Sequence, residues 1–405
     1  MVSRSDGLSK WTVTVSTNLP HLTKPQATVL AWWSYGIACT RACGRRTVAT
    51  FLALLLTQKV GTVEQRLREW CYDAADKRGT KRQTLDVTTA FVPLLRWIIR
   101  LWSGTAMALA IDATTLSDCF VVLTVSVVYR GCGLPVAWTI LPAGQKGAWR
   151  KEWLRLLRLV RPAIPPDWTV LVLADRGLYA SWLYRRIVRL GWHPFLRINQ
   201  AAKFRPAGQA KWYWLRDLVG QVGQRWRGAG SAFVTKESRL DCTLVAWWGA
   251  GYKEPWFILT DLAPDSCDAS WYGLRTWCEQ GFKVYKRGGW QWQQTRMTDP
   301  DRAARLWLAL AVATLWMVSI GTPLEEATAG EAMDLPELSA LLEGSARRSR
   351  RTRLFRLGWL WLLVRQITAQ ALPLPHRLVP EPWPDVPQRL EVLLPQQQAV
   401  SDVPV

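Results

Sequence analysis

The stretch AMALAIDATTLSDCFVVLTVSVVYRGCGLPVAWTILPA, residues Ala106–Ala143, marks a change of character in the chain. AMALAID is a short apolar run and CFVVLTVSVVY is rich in β-branched residues. LPVAWTILPA follows the turn residues Arg130, Gly131, Cys132 and Gly133, so three successive antiparallel strands are expected. Upstream the pattern is helical. TVATFLALLL and FVPLLRWIIRLW have helical length and apolar content, and TVEQRLREWC sets Thr62 and Gln65 at capping-box spacing with Val63, Leu67, Trp70 and Cys71 on one face. Downstream, GAWRKEWLRLLRLV reads as a helix, WTVLVLAD as a strand buried on both faces, LYASWLYRRIVRLG as a helix and HPFLRI as a strand. The order βββαβαβ predicts an α/β fold, a mixed sheet flanked by helices.

From Asn199 to Glu254 the pattern breaks into polar, Gly-containing segments with strands expected at SAFVTK and CTLVAWWG, a β-rich insertion. PWFILTDL returns to a strand, and DRAARLWLALAVATLWMV makes a long apolar helix on the same core. The expected divisions are a helical N-terminal region over 1–104, a core over 105–198, the insertion over 199–255, the second part of the core over 256–322 and a basic, Pro-rich region over 323–405. Irregular structure is expected after Ile320 and mobility from Pro373 onward.

Composition narrows the partners. Lys and Arg number 52 against 31 Asp and Glu, a formal charge of +21, so the chain attracts polyanions, of which nucleic acid is the commonest. The hydrophobic share of 49% is that of a globular chain and argues against general disorder. Eight irregularly spaced cysteines, with no apolar targeting segment in MVSRSDGLSKWTV, fit a reducing, cytoplasmic compartment. Three scattered histidines argue against zinc. The longest apolar run, Leu306–Ile320, falls short of the roughly 20 residues that span a bilayer, so no membrane is expected. The 27 tryptophans decide little by number alone.

Three carboxylates stand where chemistry is placed. Asp112 is expected to close the first strand and Asp175 the central apolar strand, just before Arg176 and Gly177. In the known arrangement of such a sheet these strands are neighbours, so the two aspartates face one another and need a cation. An all-oxygen site suits Mg²⁺ or Mn²⁺. A third carboxylate lets two metals bind, the arrangement that drives phosphodiester displacement. Glu279, within YGLRTWCEQGFKVYK (Tyr272–Lys286), is the candidate. At about 100° per residue Tyr272, Arg275, Glu279 and Lys286 form one helical stripe, with Leu274, Trp277, Val284 and Tyr285 opposite. Arg275 and Lys286 then suit flanking phosphates and Tyr272 a backbone oxygen.

The spacing Tyr272, Arg275, Glu279, Lys286, together with AIDATTL and LADRGLY, resembles the DDE transposases of bacterial insertion sequences, in particular insertion-sequence family four and its relatives. The resemblance covers roughly Thr62 to Gly321. It implies an RNase H-like core interrupted by a β-rich insertion, two divalent ions held by Asp112, Asp175 and Glu279, and cutting and joining of double-stranded DNA at element ends. It also implies a homodimer assembled on that DNA, a nucleoid-associated location in a bacterium, and a tryptophan stacking on a flipped base. Trp247, Trp248 and Trp256 lie in or beside the insertion, Trp256 on the strand before the glutamate helix. The basic cluster Arg347, Arg348, Arg350, Arg351, Arg353 and Arg356 suits DNA backbone equally with a solvated linker. A catalytically silent, DNA-binding descendant is the alternative, and a glycosidase fits poorly with a cationic setting around Glu279.

Overall fold

The computed structural model describes residues 6–80, 82–116, 118–145, 147, 149–329 and 353–387. The chain forms two compact units, Met1–Thr169 with Leu274–Glu381, and Val170–Gly273 with Pro382–Val405.

In the first unit the helical region comprises α1 (Asp6–Asn18), α2 (Lys24–Thr40), α3 (Arg45–Leu56), α4 (Val60–Cys71) and α5 (Phe91–Leu101). The capping box lies at α2, where Thr23 and Gln26 bond each other's backbone reciprocally and Pro25 occupies the first turn. It does not lie at Thr62. α4 begins earlier, capped at Lys59, whose carbonyl accepts from Thr62 and Val63. Val63, Leu67, Trp70 and Cys71 are its buried face, as the spacing predicts. Tryptophans fill this interior. Trp11 stacks on Trp316 with ring centroids 4.1 Å apart and donates to Ser34 at 2.9 Å, while Trp33, Trp97, Trp138, Trp153 and Trp307 are fully buried.

The three expected strands are β1 (Ala106–Leu116), β2 (Phe120–Tyr129) and β3 (Cys132–Pro142), an antiparallel meander in which every residue of β2 is buried. β1 does not stop at Asp112. Its ladder with β2 runs on through Thr114↔Val122 to Leu116↔Phe120, so Asp112 is mid-strand, opposite Thr124. α5, α6 (Arg150–Val160) and two later helices pack on these strands.

In the second unit β4 (Thr169–Ala174) pairs in parallel with β5 (His193–Arg197) through the crossover helix α7 (Ser181–Arg189). Then come β6 (Lys203–Pro206), β7 (Tyr213–Trp214), the short α8 (Leu215–Leu218), β8 (Arg225–Ala232), β9 (Leu240–Trp247) and β10 (Trp256–Thr260). β10 lies antiparallel to β5, and the insertion strands continue the same sheet in the order β5-β10-β9-β8-β6-β7. SAFVTK is not a strand of its own. Only Ser231 and Ala232 belong to β8, because Phe233 takes a left-handed backbone (φ 62) that ends the ladder.

The first unit is completed by α9 (Thr276–Tyr285), α10 (Pro300–Ala329) and α11 (Arg353–Ile367). Asp299 caps α10, accepting from the Asp301 and Arg302 amides, with Pro300 in the first turn. Pro300–Glu326 is long and apolar enough to cross a membrane, yet its apolar window lies wholly buried inside the protein. Among the described residues the chain stays regular beyond Ile320. α10 runs nine residues further, and α11 meets it at Gly321 and Gly358, where a Cβ on Gly358 would stand 1.9 Å from the Met317 carbonyl. The Pro-rich segment is held over its described residues. Leu378, fully buried, exchanges backbone hydrogen bonds with Leu101 and Ser103 at 2.7 and 2.8 Å. In the second unit the Pro384 carbonyl accepts from Trp271 at 2.6 Å and that of Pro387 from Arg227 at 3.0 Å. Arg347, Arg348, Arg350 and Arg351 lie outside the described residues.

Candidate functional site

The glutamate segment is built from two kinds of helix. Ala269–Arg275 is a 3₁₀ turn, and α9 starts only at Thr276. Tyr272 therefore lies on a tighter spiral than the α-helical stripe, whereas Arg275, the helical N-cap of α9, keeps its i,i+4 place beside Glu279. Lys286 follows the end of α9 with φ −92 and ψ −138, which redirects it relative to the helix. Leu274, Val284 and Tyr285 are buried as the apolar face. α9 sits unusually close to β3: a Cβ on Gly281 would lie 2.6 Å from the Gly133 carbonyl, so only glycine allows this approach.

That seating brings Asp112, Arg275 and Glu279 together in the first unit. The Arg275 guanidinium, 7% exposed, reaches Asp112 Oδ2 at 2.8 Å through Nη2 and Glu279 Oε1 at 2.7 Å through Nη1. One rigid fork thus bridges two carboxylates, which puts those oxygens no more than about 8 Å apart. The two carboxylates differ in access. The Asp112 side chain is 14% exposed and its Oδ1 accepts from the Ala113 amide, whereas Glu279 is 53% exposed. Lys286 Nζ donates to Thr114 Oγ1 at 2.8 Å and to the Thr115 carbonyl at 2.7 Å, on the half-buried continuation of β1 beyond Asp112. Burial lowers its pKa.

Asp175, Tyr272 and Trp256 belong to the second unit. Asp175 follows β4 directly, in a turn closed by the Leu178 amide on its carbonyl at 2.8 Å. Its Oδ1 accepts from the Arg176 amide at 2.6 Å and, at a longer 3.4 Å, from the Tyr272 hydroxyl. The Tyr272 ring stands edge-on to Trp256 at 5.3 Å. Trp256 is 5% exposed, wedged also against Tyr252 and Trp247, so it is a core aromatic. Trp247 is half-buried beneath the Arg225 guanidinium, and Trp248 donates to the Tyr252 carbonyl at 2.9 Å.

Several neighbours escaped the sequence reading. Arg176 and Arg197 converge on Glu254, at 2.9 and 2.7 Å, and Arg197 also lies over the Tyr272 ring at 5.8 Å. These pairings cross long sequence separations and carry no periodic signal. KWYWLR, Lys211–Arg216, did carry a local signal, three successive aromatics between two cations. In the fold Lys203 lies 4.3 Å and Arg216 5.2 Å from the ring of Trp214, which is 39% exposed, while Arg205 covers Trp212. Rings lined by cations suit nucleic acid.

Among the described residues no group of three or more His, Cys, Asp or Glu side chains is gathered as a metal site. The donor chemistry at Asp112 and Glu279 nonetheless fits a hard divalent cation. Both offer carboxylate oxygens only, and both are already bridged by a positive charge.

No curated protein matches the chain. The family model described as the transposase DDE domain matches residues 107–316, from the second residue of β1 into α10 and therefore through Asp112, Asp175 and Glu279. A mixed sheet with flanking helices, a β-rich insertion and a helical N-terminal region is the RNase H-like α/β architecture expected of such a chain. With just over half of its length matched, the chain belongs to the transposase DDE-domain family.

Proposed function

We propose that this transposase serves a bacterial insertion sequence of the family-four type, cutting double-stranded DNA at the element's ends and joining the freed ends to a target. Asp112, Asp175 and Glu279 would hold a pair of Mg²⁺ or Mn²⁺ ions. Such ions, when bound, supply a polarised phosphate oxygen and a water acidic enough to attack phosphorus. The residues of the chain do the rest. Arg275 orients the Asp112 and Glu279 carboxylates, and the Tyr272 hydroxyl steadies Asp175. Lys286, anchored on Thr114, offers a cation to a backbone phosphate. Trp256 supports the Tyr272 ring; a direct stack on a base requires that ring to be uncovered. Two ends are worked on by paired subunits in the bacterial cytoplasm, on the nucleoid.

The observation that carries the reading is the Arg275 bridge between Asp112 and Glu279 inside the segment matched by the family. Purified protein is incubated with a duplex carrying the element's end and Mn²⁺. Nicking is expected, and Asp112→Asn, Asp175→Asn or Glu279→Gln should reduce it to background while gel-shift binding persists. Full nicking by any one variant removes that residue from the site. Binding without nicking by the unaltered chain would identify a silent descendant instead.

A further inference from the structure

Around Asp175 five residues of the second unit form a closed circuit, and one of them, Glu254, is not a ligand in the proposed metal centre. The circuit starts from strand register. β4 and β5 run parallel with Ala174 opposite Leu196, so Asp175 and Arg197 follow side by side where the two strands end. The chain turns after Asp175, and the Arg176 amide donates to Asp175 Oδ1 at 2.6 Å. The Arg176 side chain is held in turn by Glu254, its Nη1 donating to both carboxylate oxygens at 2.9 and 3.0 Å. Glu254 Oε1 also accepts from Arg197 Nη2 at 2.7 Å. Arg197 lies over the Tyr272 ring at 5.8 Å, and the Tyr272 hydroxyl returns to Asp175 Oδ1 at 3.4 Å.

Glu254 is the group that both arms of the circuit share. One arm holds Arg176, whose amide grips the aspartate, and the other runs through Arg197 and the tyrosine ring. The place of Glu254 is itself stiffened. It precedes Pro255, which restricts the backbone of the residue before it, and Trp256 then enters β10 with its ring edge-on to Tyr272 at 5.3 Å. Stability is a poor account of the arrangement, because the Arg176 side chain is 52% exposed and that of Glu254 34%, so water screens their pairing. What such a clamp fixes is direction. Charge is also matched within the circuit, two guanidiniums against two carboxylates. Without Glu254 both guanidiniums would act on Asp175 alone, a setting that disfavours a divalent cation there.

We propose that Glu254 is a positioning residue for Asp175. By tethering Arg176 and Arg197 it sets the direction of the aspartate carboxylate and balances the charge around it, and through both it sets how tightly a divalent ion is held on this side of the site. The inference rests on the reading of Asp175 as a metal ligand. Groups that orient a ligand in this indirect way govern metal affinity about tenfold to a hundredfold.

Mn²⁺ is titrated into the full chain bound to a pre-nicked duplex carrying the element's end, and binding is read without turnover from the loss of the free-ion paramagnetic resonance signal, against the duplex alone. Glu254→Ala should raise the Mn²⁺ concentration at half-saturation by about tenfold. Glu254→Gln, which keeps an acceptor oxygen at the same reach, should raise it less. The melting temperature in chelator should fall by no more than about 4 °C, since the clamp is largely screened. Tyr272→Phe removes the other donor to Asp175 Oδ1, so its effect on Mn²⁺ should not multiply in full with that of Glu254→Ala. Mn²⁺ binding by Glu254→Ala within about twofold of the parent overturns the proposal, as does a double variant whose two effects multiply. A parent that binds no Mn²⁺, or an Asp175→Asn protein that binds it as tightly as the parent, instead overturns the metal reading of Asp175 and the proposal with it, so the two failures are told apart.

Discussion

Replacing Arg275 with alanine tests the centre of the site. The guanidinium is 7% exposed and makes charge-assisted hydrogen bonds to Asp112 at 2.8 Å and Glu279 at 2.7 Å. Removing one partner of a buried pair leaves an uncompensated charge and costs about 3–5 kcal/mol. The two limbs are not equal. Glu279 is 53% exposed, so water screens its share to at most about 1 kcal/mol. Asp112, with a side chain 14% exposed, bears most of the cost, softened by its bond from the Ala113 amide. A loss of about 3 kcal/mol follows, which for a unit of this size lowers Tm by roughly 6–12 °C. The measurement is thermal unfolding by circular dichroism in chelator. A second substitution sharpens it: adding Asp112→Asn to Arg275→Ala removes the stranded charge and should recover about half of the lost Tm, a coupling that distant sites lack. Saturating Mn²⁺ should also raise the Tm of Arg275→Ala more than that of the unaltered chain, because a cation takes the vacated place. An Arg275→Ala protein melting within about 1 °C of the parent in chelator, with Mn²⁺ shifting both equally, would refute the reasoning.

The glycine contact under the glutamate helix gives a second test. Gly281→Ala places a Cβ 2.6 Å from the Gly133 carbonyl, so α9 must lift, and we expect a loss of about 1–3 kcal/mol in denaturant unfolding together with a larger loss of nicking. In the second unit, burial raises the Asp268 pKa, but the Arg225 and Ser270 hydrogen bonds outweigh it and hold the carboxyl below its ordinary 3.8. A depressed pKa stabilises above the unfolded value, so the advantage of the parent over Asp268→Asn should be complete above pH about 3.8 and fade as the pH falls through the lower folded value, read from acid unfolding curves. Trp214→Ala removes an exposed ring lying between Lys203 and Arg216; single-stranded DNA binding measured by anisotropy should weaken about tenfold with Tm unchanged.

The sheet was legible because its signal is local. Runs such as CFVVLTVSVVY and WTVLVLA carry β-branched residues at strand length, and both became strands. Where an element stops was less legible. Asp112 reads as a strand end because DATT is polar, but ladder pairing to β2 continues regardless of side-chain polarity. SAFVTK has strand composition, and a single left-handed residue, Phe233, cancels it. The 3₁₀ turn before α9 was invisible, since the two helix types differ by only about 20° per residue and share the same residue preferences. Tryptophan number was uninformative, and packing explains much of it: Trp11, Trp33, Trp97, Trp138, Trp153, Trp290, Trp292, Trp307 and Trp316 are all fully buried in the first unit.

The site itself was half legible, and the missing half has a physical meaning. Sequence spacing set Arg275 beside Glu279, an i,i+4 pair that the fold retains, but its second partner, Asp112, lies far off in the chain and is met only because α9 settles onto the strands through Gly133 and Gly281. A buried arginine between carboxylates is a poor device for stability, because well-packed apolar groups of equal volume do as well or better. Its presence is better explained by what it keeps available. An apolar replacement would close the space around Asp112 for good, whereas a guanidinium keeps two carboxylates beside one another, with the Glu279 limb open to solvent. A divalent ion bound as proposed would take the place of that internal cation, which is why the Mn²⁺ dependence of the Arg275→Ala variant discriminates more sharply than loss of activity does.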